Sequence, residues 1–375
     1  MMNMKTFIGA LLLLPASFCM GQDKFEISGN LPAVGNGNQV ILSYVNALGK
    51  SVKDSTLLKN GKFTISGTTA HASKAYLTLI PVKKDTSRRY ADYDRQDFYL
   101  QKGKYLVTGK DSLATARISG TQAQADFIAY TAQMGNRPAL YRKIGYDFLN
   151  ARSAKDTVAI KRIQAEAKPL VAKMEAVLDS FIFNHGDSYV SADLINDNKT
   201  MVIDPQVFDP YYKALSPRVL AGFTGKKLTE KYDKAKQLAI GKAVDFRQTD
   251  DKGKEFKLSS LRGKFVLVDF WASWCGPCRA ENPNLLKAYK QFKDKNFEIV
   301  GVSLDETKAA WLGAVKQDGM PWIQVSDLKG FKSDVAVQYG ISAIPQNFLI
   351  NPEGVIIAKN LRGEDVNEKI SSFIR

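Results

Sequence analysis

Apolar and polar residues alternate with a period of two in the first part of the chain, which is the pattern of strands with one buried face. Turn-forming clusters such as Asn36-Gly37-Asn38 separate the alternating stretches. These stretches are residues 25–27, 40–44, 63–65, 76–79, 97–100 and 105–108. Their spacing predicts a small β-rich domain over residues 22–120, built as an antiparallel sandwich or barrel.

The period changes to that of a helix between residues 121 and 238. Apolar residues there recur three and four positions apart, in 127–134, 140–148, 160–183, 205–215 and 228–240. Pro169 interrupts the longest of these patterns, which predicts either two helices or one kinked helix. We interpret residues 121–238 as a helical connector.

Strand and helix patterns alternate from residue 239 to residue 375. Strand patterns cover 244–248, 256–258, 265–271, 297–304, 346–350 and 355–358, and helical patterns cover 275–293, 307–317 and 364–374. All 4 tryptophans of the chain lie here, which indicates a separate core. The alternation predicts an α/β domain with a central mixed sheet and helices on both faces.

The first 21 residues have a different composition. Lys5 precedes the apolar run 7–14, which ends at Pro15. This run is shorter than the about 20 residues that cross a bilayer, and it fits the apolar part of a signal peptide. We expect cleavage after Gly21, which would place the mature protein in the periplasm or cell envelope without an integral membrane segment. A lipid anchor on Cys19 is the alternative, and the bulky Phe18 before it argues against it.

The chain carries 53 Lys and Arg against 38 Asp and Glu, a formal net charge of +15 over 375 residues. These basic residues are scattered and form no long run, which favours a solvated basic surface over a nucleic-acid site. Export makes nucleic acid a still poorer partner. Attraction to acidic proteins or anionic membrane surfaces stays open and would weaken with added salt.

Cysteine usage is more informative. The chain has 3 cysteines, Cys19, Cys275 and Cys278, and the first would leave with the signal peptide. A bridge between residues three apart closes almost no loop, so it stabilises the fold little and indicates exchange chemistry instead. A zinc site would need two further ligands, and the histidines, His71 and His185, lie in other predicted segments. We therefore expect no metal and no cofactor.

Cys275 and Cys278 lie where a predicted buried strand gives way to a helix. Free N–H groups and the positive end of the helix dipole favour a thiolate there and lower the pKa of the first cysteine. Because the thiolate is the attacking species in disulfide exchange, Cys275 is predicted to be the nucleophile. Cys278 lies one turn further and can resolve a mixed disulfide.

Several short runs resemble the thioredoxin superfamily, and more closely its secreted thiol–disulfide oxidoreductases of the TlpA/ResA type. They are Val268-Asp269-Phe270-Trp271-Ala272, Trp274-Cys275-Gly276-Pro277-Cys278, Pro283 and Ile344-Pro345. The resemblance covers about residues 240–375. The β-rich region resembles a domain that precedes such modules in Bacteroidetes-type envelope proteins.

The resemblance implies roles for two acidic residues. Asp269 matches the buried carboxylate that accepts or relays the proton of the resolving cysteine, and Glu281 matches a second acidic residue that tunes the cysteine pKa values. For Glu281, an ordinary solvated helix residue remains the alternative. One departure stands out, because Gly301 occupies the position of the buried lysine of cytosolic thioredoxins.

The resemblance also implies a substrate-binding surface. Trp274 would form an aromatic rim beside Cys275, and the backbone of Ile344 would pair with the substrate chain. Pro345 matches the cis-proline that faces the active site.

The resulting hypothesis is a thiol–disulfide oxidoreductase that reduces or isomerises disulfides of envelope proteins and receives electrons from a membrane thiol donor. The Gly276-Pro277 dipeptide is the one found in reducing thioredoxins. One alternative is a thiol peroxidase of the same fold, although Ala272-Ser273-Trp274 lacks the Thr and Pro context expected of one. Another is an envelope binding or scaffold protein whose redox module is incidental.

Overall fold

The computed structural model of the chain describes residues 23–45, 50–69, 71–83 and 93–374. The predicted signal peptide, residues 1–21 with Cys19, lies outside these ranges. The chain divides into two compact units, Met1–Gln133 and Met134–Arg375. The second unit includes most of the predicted helical connector together with the α/β region, while the four-segment division itself stays a prediction.

The described part of the first unit holds two four-stranded sheets. Its strands are β1 (Asp23–Asn30), β2 (Gln39–Val45), β3 (Ser51–Leu57), β4 (Lys62–Thr69), β5 (Ser73–Ile80), β6 (Asp94–Leu100), β7 (Gly103–Thr108) and β8 (Arg117–Ser119). The sheet orders are β4-β1-β7-β8 and β3-β2-β5-β6, and both sheets contribute to one apolar core, with Ile27 and Leu42 completely buried. The predicted all-β fold is confirmed.

One pairing in this unit differs from the predicted antiparallel arrangement. Strands β1 and β7 run parallel, with Phe25 opposite Gly103. Parallel neighbours need a long connection, and here five intervening strands supply it.

A helical segment follows. Its helices are α1 (Gln122–Met134), α2 (Arg137–Ser153), α3 (Thr157–Asn184), α4 (Tyr189–Asn198), α5 (Pro205–Ala214), α6 (Pro217–Leu220) and α7 (Phe223–Gln237). Pro169 lies inside α3, so the alternative of two separate helices was wrong. The Asp156 side chain caps α3 by accepting the Ala159 N–H at 2.9 Å. Among the described helices, none combines the length and apolar character needed to span a membrane.

The α/β region begins with a hairpin of β9 (Arg247–Thr249) and β10 (Glu255–Lys257). Its main sheet has the order β13-β12-β11-β14-β15. These strands are β11 (Phe265–Trp271), β12 (Phe297–Ser303), β13 (Ile323–Val325), β14 (Gln346–Ile350) and β15 (Ile356–Lys359), and the helices are α8 (Gly276–Phe292), α9 (Lys308–Gln317), α10 (Asp334–Tyr339) and α11 (Asp365–Phe373). Strands β11, β12 and β13 pair in parallel, whereas β14 pairs antiparallel with β11 and β15 antiparallel with β14. The sheet is therefore mixed, and the predicted thioredoxin-like fold is confirmed.

The central strand positions the site. Strand β11 lies between β12 and β14, and Val266, Leu267, Val268 and Phe270 are completely buried. Such a strand is apolar almost throughout because both of its faces are covered. Strand β11 ends at Trp271, and α8 begins a few residues later, at Gly276, beyond the carboxyl end of the strand.

Candidate active site

Both cysteines lie at the start of α8. Cys275 is the residue that caps this helix and Cys278 lies in its first turn, and a disulfide joins them with their Cα atoms 5.3 Å apart. The Cys278 N–H donates to the Cys275 sulfur at 3.2 Å. Pro277 lies in the first turn, where its lack of an N–H removes no intrahelical bond. An N–H directed at the Cys275 sulfur is the arrangement that stabilises a thiolate there.

The disulfide is largely covered, while the residue before it is not. Cys275 is 4% exposed and Cys278 2% exposed, whereas Trp274 is 59% exposed. The Trp274 ring lies 6.0 Å from that of Phe331, which is also partly exposed. Together these two side chains form an aromatic rim next to Cys275.

A buried carboxylate holds the turn between β11 and α8. Asp305 is 1% exposed and accepts hydrogen bonds from the Ser273 N–H at 3.0 Å and the Ser273 hydroxyl at 2.5 Å. It also accepts one from the Ser303 hydroxyl at 2.8 Å. Sequence analysis missed Asp305. The available signal was its place just after β12, whose carboxyl end lies beside that of β11.

Asp269 is a buried acid on β11. Its residue is 7% exposed, and burial raises the pKa of its carboxyl to about 7. The positive charge of Arg362 and a hydrogen bond with Asn347 oppose this rise, and the negative charge of Glu281 adds to it. A carboxyl that titrates near neutrality can exchange a proton at physiological pH.

Gly301 lies directly opposite Asp269 on β12. A Cβ atom at Gly301 would lie 2.6 Å from Oε1 of Gln324, whose side chain fills the space instead. The same Oε1 accepts a hydrogen bond from the Trp271 indole N–H at 3.2 Å. A buried amide therefore fills the space beside Gly301, the position at which cytosolic thioredoxins have a buried lysine, and Trp271 belongs to the core.

Glu281 is half-buried on α8 rather than freely solvated. Its Oε2 accepts hydrogen bonds from the Gly363 N–H at 2.8 Å and from the Asn284 side chain at 3.0 Å. The fold thus fixes this carboxylate in place, close enough to Asp269 to raise its pKa.

The Ile344–Pro345 peptide bond is cis, as the resemblance implied. The Pro345 carbonyl accepts a hydrogen bond from Nη2 of Arg362 at 2.5 Å. Sequence analysis missed Arg362, since nothing in its local sequence distinguishes it from the chain's other basic residues.

Within the described ranges, no group of three or more His, Cys, Asp or Glu side chains is arranged to hold a metal ion. His185 has a structural contact, because its ring stacks on Phe181 at 4.1 Å and its Nδ1 lies 3.0 Å from the Phe181 carbonyl oxygen.

Two family models match the chain. Residues 240–359 match the AhpC/TSA family, and residues 25–127 match a domain of unknown function, DUF4369. Thiol-disulfide oxidoreductase ResA of Bacillus cereus is 33% identical over 159 residues, which is 42% of this chain and 90% of that protein. The protein of the same name from Bacillus subtilis is 39% identical over 115 residues, 31% of this chain and 63% of that protein. A solved thioredoxin domain of a thiol-disulfide oxidoreductase from Bacteroides vulgatus is 41% identical, covers 36% of this chain and 99% of that one, and has a TM-score of 0.35.

Proposed function

The chain belongs to the family of ResA-like thiol–disulfide oxidoreductases, and on that premise we propose that it reduces or isomerises disulfides in proteins of the cell envelope through Cys275 and Cys278. The observation that carries the proposal is the disulfide at the start of α8, directly after the exposed Trp274 of the aromatic rim. In this arrangement Cys275, directly after the exposed Trp274, is the proposed nucleophile, and Cys278, in the first turn of α8, is the proposed resolving cysteine.

Reduction proceeds in two exchanges. In the dithiol form, the Cys275 thiolate attacks one sulfur of the client disulfide, whose S–S bond breaks. A mixed disulfide forms and the released client thiolate takes up a proton. The Cys278 thiolate then attacks the Cys275 sulfur, which frees the second client thiolate. The client gains two electrons and two protons, and the Cys275–Cys278 bond forms again.

Asp269 is the proposed base of the second exchange. It accepts the proton of the Cys278 thiol, because its own pKa of about 7 lies near the pH of the surrounding medium. Glu281 tunes this step through its negative charge, which favours the protonated form of Asp269.

Client binding uses the surface around Cys275. Trp274 contacts the client with its exposed ring, and the backbone of Ile344, just before the cis Pro345, pairs with the client chain as a strand would. Partner choice would then depend on an accessible disulfide in an extended segment.

The place of action follows from the predicted signal peptide, which would export the chain to the periplasm or cell envelope. Each cycle leaves the protein oxidised, so a continuing reductase needs a donor of two electrons. A membrane-bound thiol donor is the proposed source.

A trapping experiment tests the proposal. In Cys278→Ser, Cys275 can still attack a client disulfide, but no second cysteine can resolve the mixed disulfide that forms. We therefore expect covalent mixed disulfides with envelope proteins, which dithiothreitol should reduce. Cys275→Ser is the matched control and should trap no partner. Equal trapping by both variants, or by neither, would contradict the assigned order of attack. Peroxide consumption, measured on the same samples, tests the thiol peroxidase alternative.

A further inference from the structure

The loop between β15 and α11 connects three parts of the site. Asn347 on β14 binds this loop through two side-chain hydrogen bonds. Its side-chain amide donates to the Leu361 carbonyl at 3.1 Å, and its Oδ1 accepts the Leu361 N–H at 2.9 Å. The Asn360 N–H also donates to the Asn347 carbonyl at 2.8 Å. These bonds fix the loop to β14, the strand that directly follows the cis-proline, and Asn347 itself is 2% exposed.

Two residues of this loop reach the site. Arg362 donates from Nη2 to the Pro345 carbonyl at 2.5 Å and from Nη1 to the Leu361 carbonyl at 2.7 Å. Gly363 has a φ of 57°, a conformation that favours glycine, and its N–H donates to Glu281 on α8. The loop therefore holds the cis-proline and the active-site helix together.

Two charged side chains act on Asp269, one negative and one positive. Glu281 acts on it from α8 and Arg362 from the loop, whereas β12 offers the uncharged Gly301 and β14 the amide of Asn347. Arg362 is thus the cation that favours the ionised form of Asp269, against the effects of burial and of Glu281. A guanidinium keeps its charge at every physiological pH, and its planar fork can serve two acceptors at once.

We propose that Arg362 is a positioning residue of the active site, acting both as the fixed countercharge of Asp269 and as the clamp on the Pro345 carbonyl. The assignment rests on the proposed function, because it describes how the second exchange is prepared. With the countercharge removed, Asp269 faces Glu281 alone and keeps its proton to higher pH. With the fork removed, the carbonyl of Pro345 loses its fixed donor beside the client-binding backbone.

Two substitutions separate the two roles. Arg362→Gln keeps a hydrogen-bond donor and removes the charge, while Arg362→Lys keeps the charge and removes the fork. Arg262→Gln is the matched control, since Arg262 also donates to a backbone carbonyl, that of Val244 at 3.2 Å, but belongs to the loop before β11. In an Asp269→Asn background, a change at Arg362 should no longer move the pH midpoint.

The assay mixes the reduced protein with a chromogenic aromatic disulfide and follows two releases of the coloured thiol, one for each exchange. For Arg362→Gln we expect the pH midpoint of the second release to rise by about one unit from about 7, which slows this release roughly fivefold at pH 7. Arg362→Lys should keep the midpoint but raise KM for a protein disulfide several-fold, with the small disulfide unaffected.

Failure of this inference can be distinguished from failure of the proposed function. Loss of both releases in the unsubstituted protein would refute the function itself. Normal releases with the same midpoint in Arg362→Gln as in the unsubstituted protein would overturn the role of Arg362. Equal shifts in the Gln and Lys variants, or a shift in Arg262→Gln of similar size, would also overturn it, because packing and not charge would then be responsible.

Discussion

Asp269 and Gly301 lie opposite each other on neighbouring parallel strands, with the buried amide of Gln324 in the space that a side chain at Gly301 would fill. No cation can therefore reach Asp269 from β12 without displacing Gln324. The charge that opposes the ionised acid comes instead from Arg362, which follows β15 on the other side of the sheet order.

Gly301→Ala is expected to lower the free energy of unfolding by about 1–3 kcal/mol, since the added methyl group overpacks a buried site. It would push Gln324 away from the Trp271 indole N–H. Gly313→Ala is the matched control: this glycine is exposed in α9 with no atom near a Cβ, so alanine should stabilise the protein by about 0.5–1 kcal/mol. Denaturant unfolding measures both. Equal effects of the two substitutions would show that the Gln324 contact does not constrain position 301.

Asp269→Asn is expected to stabilise the protein at alkaline pH. The folded pKa of Asp269, about 7, lies above the ordinary value of 3.8 for an aspartate carboxyl. The folded state therefore holds the proton longer than the unfolded state, and stability falls as pH rises from about 4 through about 7. Asparagine removes this loss of stability. The free energy of unfolding of Asp269→Asn should therefore exceed that of the unsubstituted protein by at most about 4 kcal/mol at pH 8, and this pH-dependent difference should vanish below pH ~4. Unfolding curves at both pH values test it, and a constant difference would contradict the raised pKa.

Asp305→Ala is expected to loosen the turn that presents Cys275. It removes the acceptor of the Ser273 N–H and of the Ser273 and Ser303 hydroxyls, at a cost of about 2–4 kcal/mol. Turnover with a protein disulfide should fall at temperatures where the variant is still folded. Asp251→Ala, in the exposed β9–β10 turn, is the control and should change neither quantity. Full turnover by folded Asp305→Ala would show that the turn keeps its shape without this carboxylate.

Trp274→Ala is expected to weaken the binding of protein substrates but not of small ones. Loss of the exposed ring removes about 1–2 kcal/mol of contact, so KM for a protein disulfide should rise roughly 5–30-fold. A small aromatic disulfide should react as before, because Cys275 is unchanged. Tyr146→Ala removes another exposed aromatic ring, in α2, and should leave both substrates unaffected. An unaltered KM in Trp274→Ala would exclude the rim as a client contact.

The elements found from sequence are those with a clear apolar period. Strand β3 was missed because none of its residues, Ser51–Leu57, is fully buried: they alternate between exposed and half-buried positions. Its sequence therefore shows no clear alternation of apolar and polar residues. Helix α4 was missed because it is short: its 10 residues, Tyr189–Asn198, leave fewer than three turns in which an apolar period can recur.

The same distinction applies to the site. Cys275, Cys278 and Asp269 belong to one short run of sequence that a motif can specify. Asp305 and Arg362 come close to that run only when β12 and β15 take their places in the sheet. Their roles depend on hydrogen bonds across 32 and 17 residues, to Ser273 and Pro345, which no local pattern encodes.

The equilibrium reduction potential of the Cys275–Cys278 pair tests the central claim most directly. Alkylation trapping in a series of dithiol buffers measures the fraction of oxidised protein at each potential. A reducing or isomerising enzyme is predicted to give a value between roughly −180 mV, as in protein disulfide isomerase, and roughly −270 mV, as in thioredoxin. A value near −120 mV, roughly that of the oxidant DsbA, would contradict the account and identify a disulfide-forming enzyme.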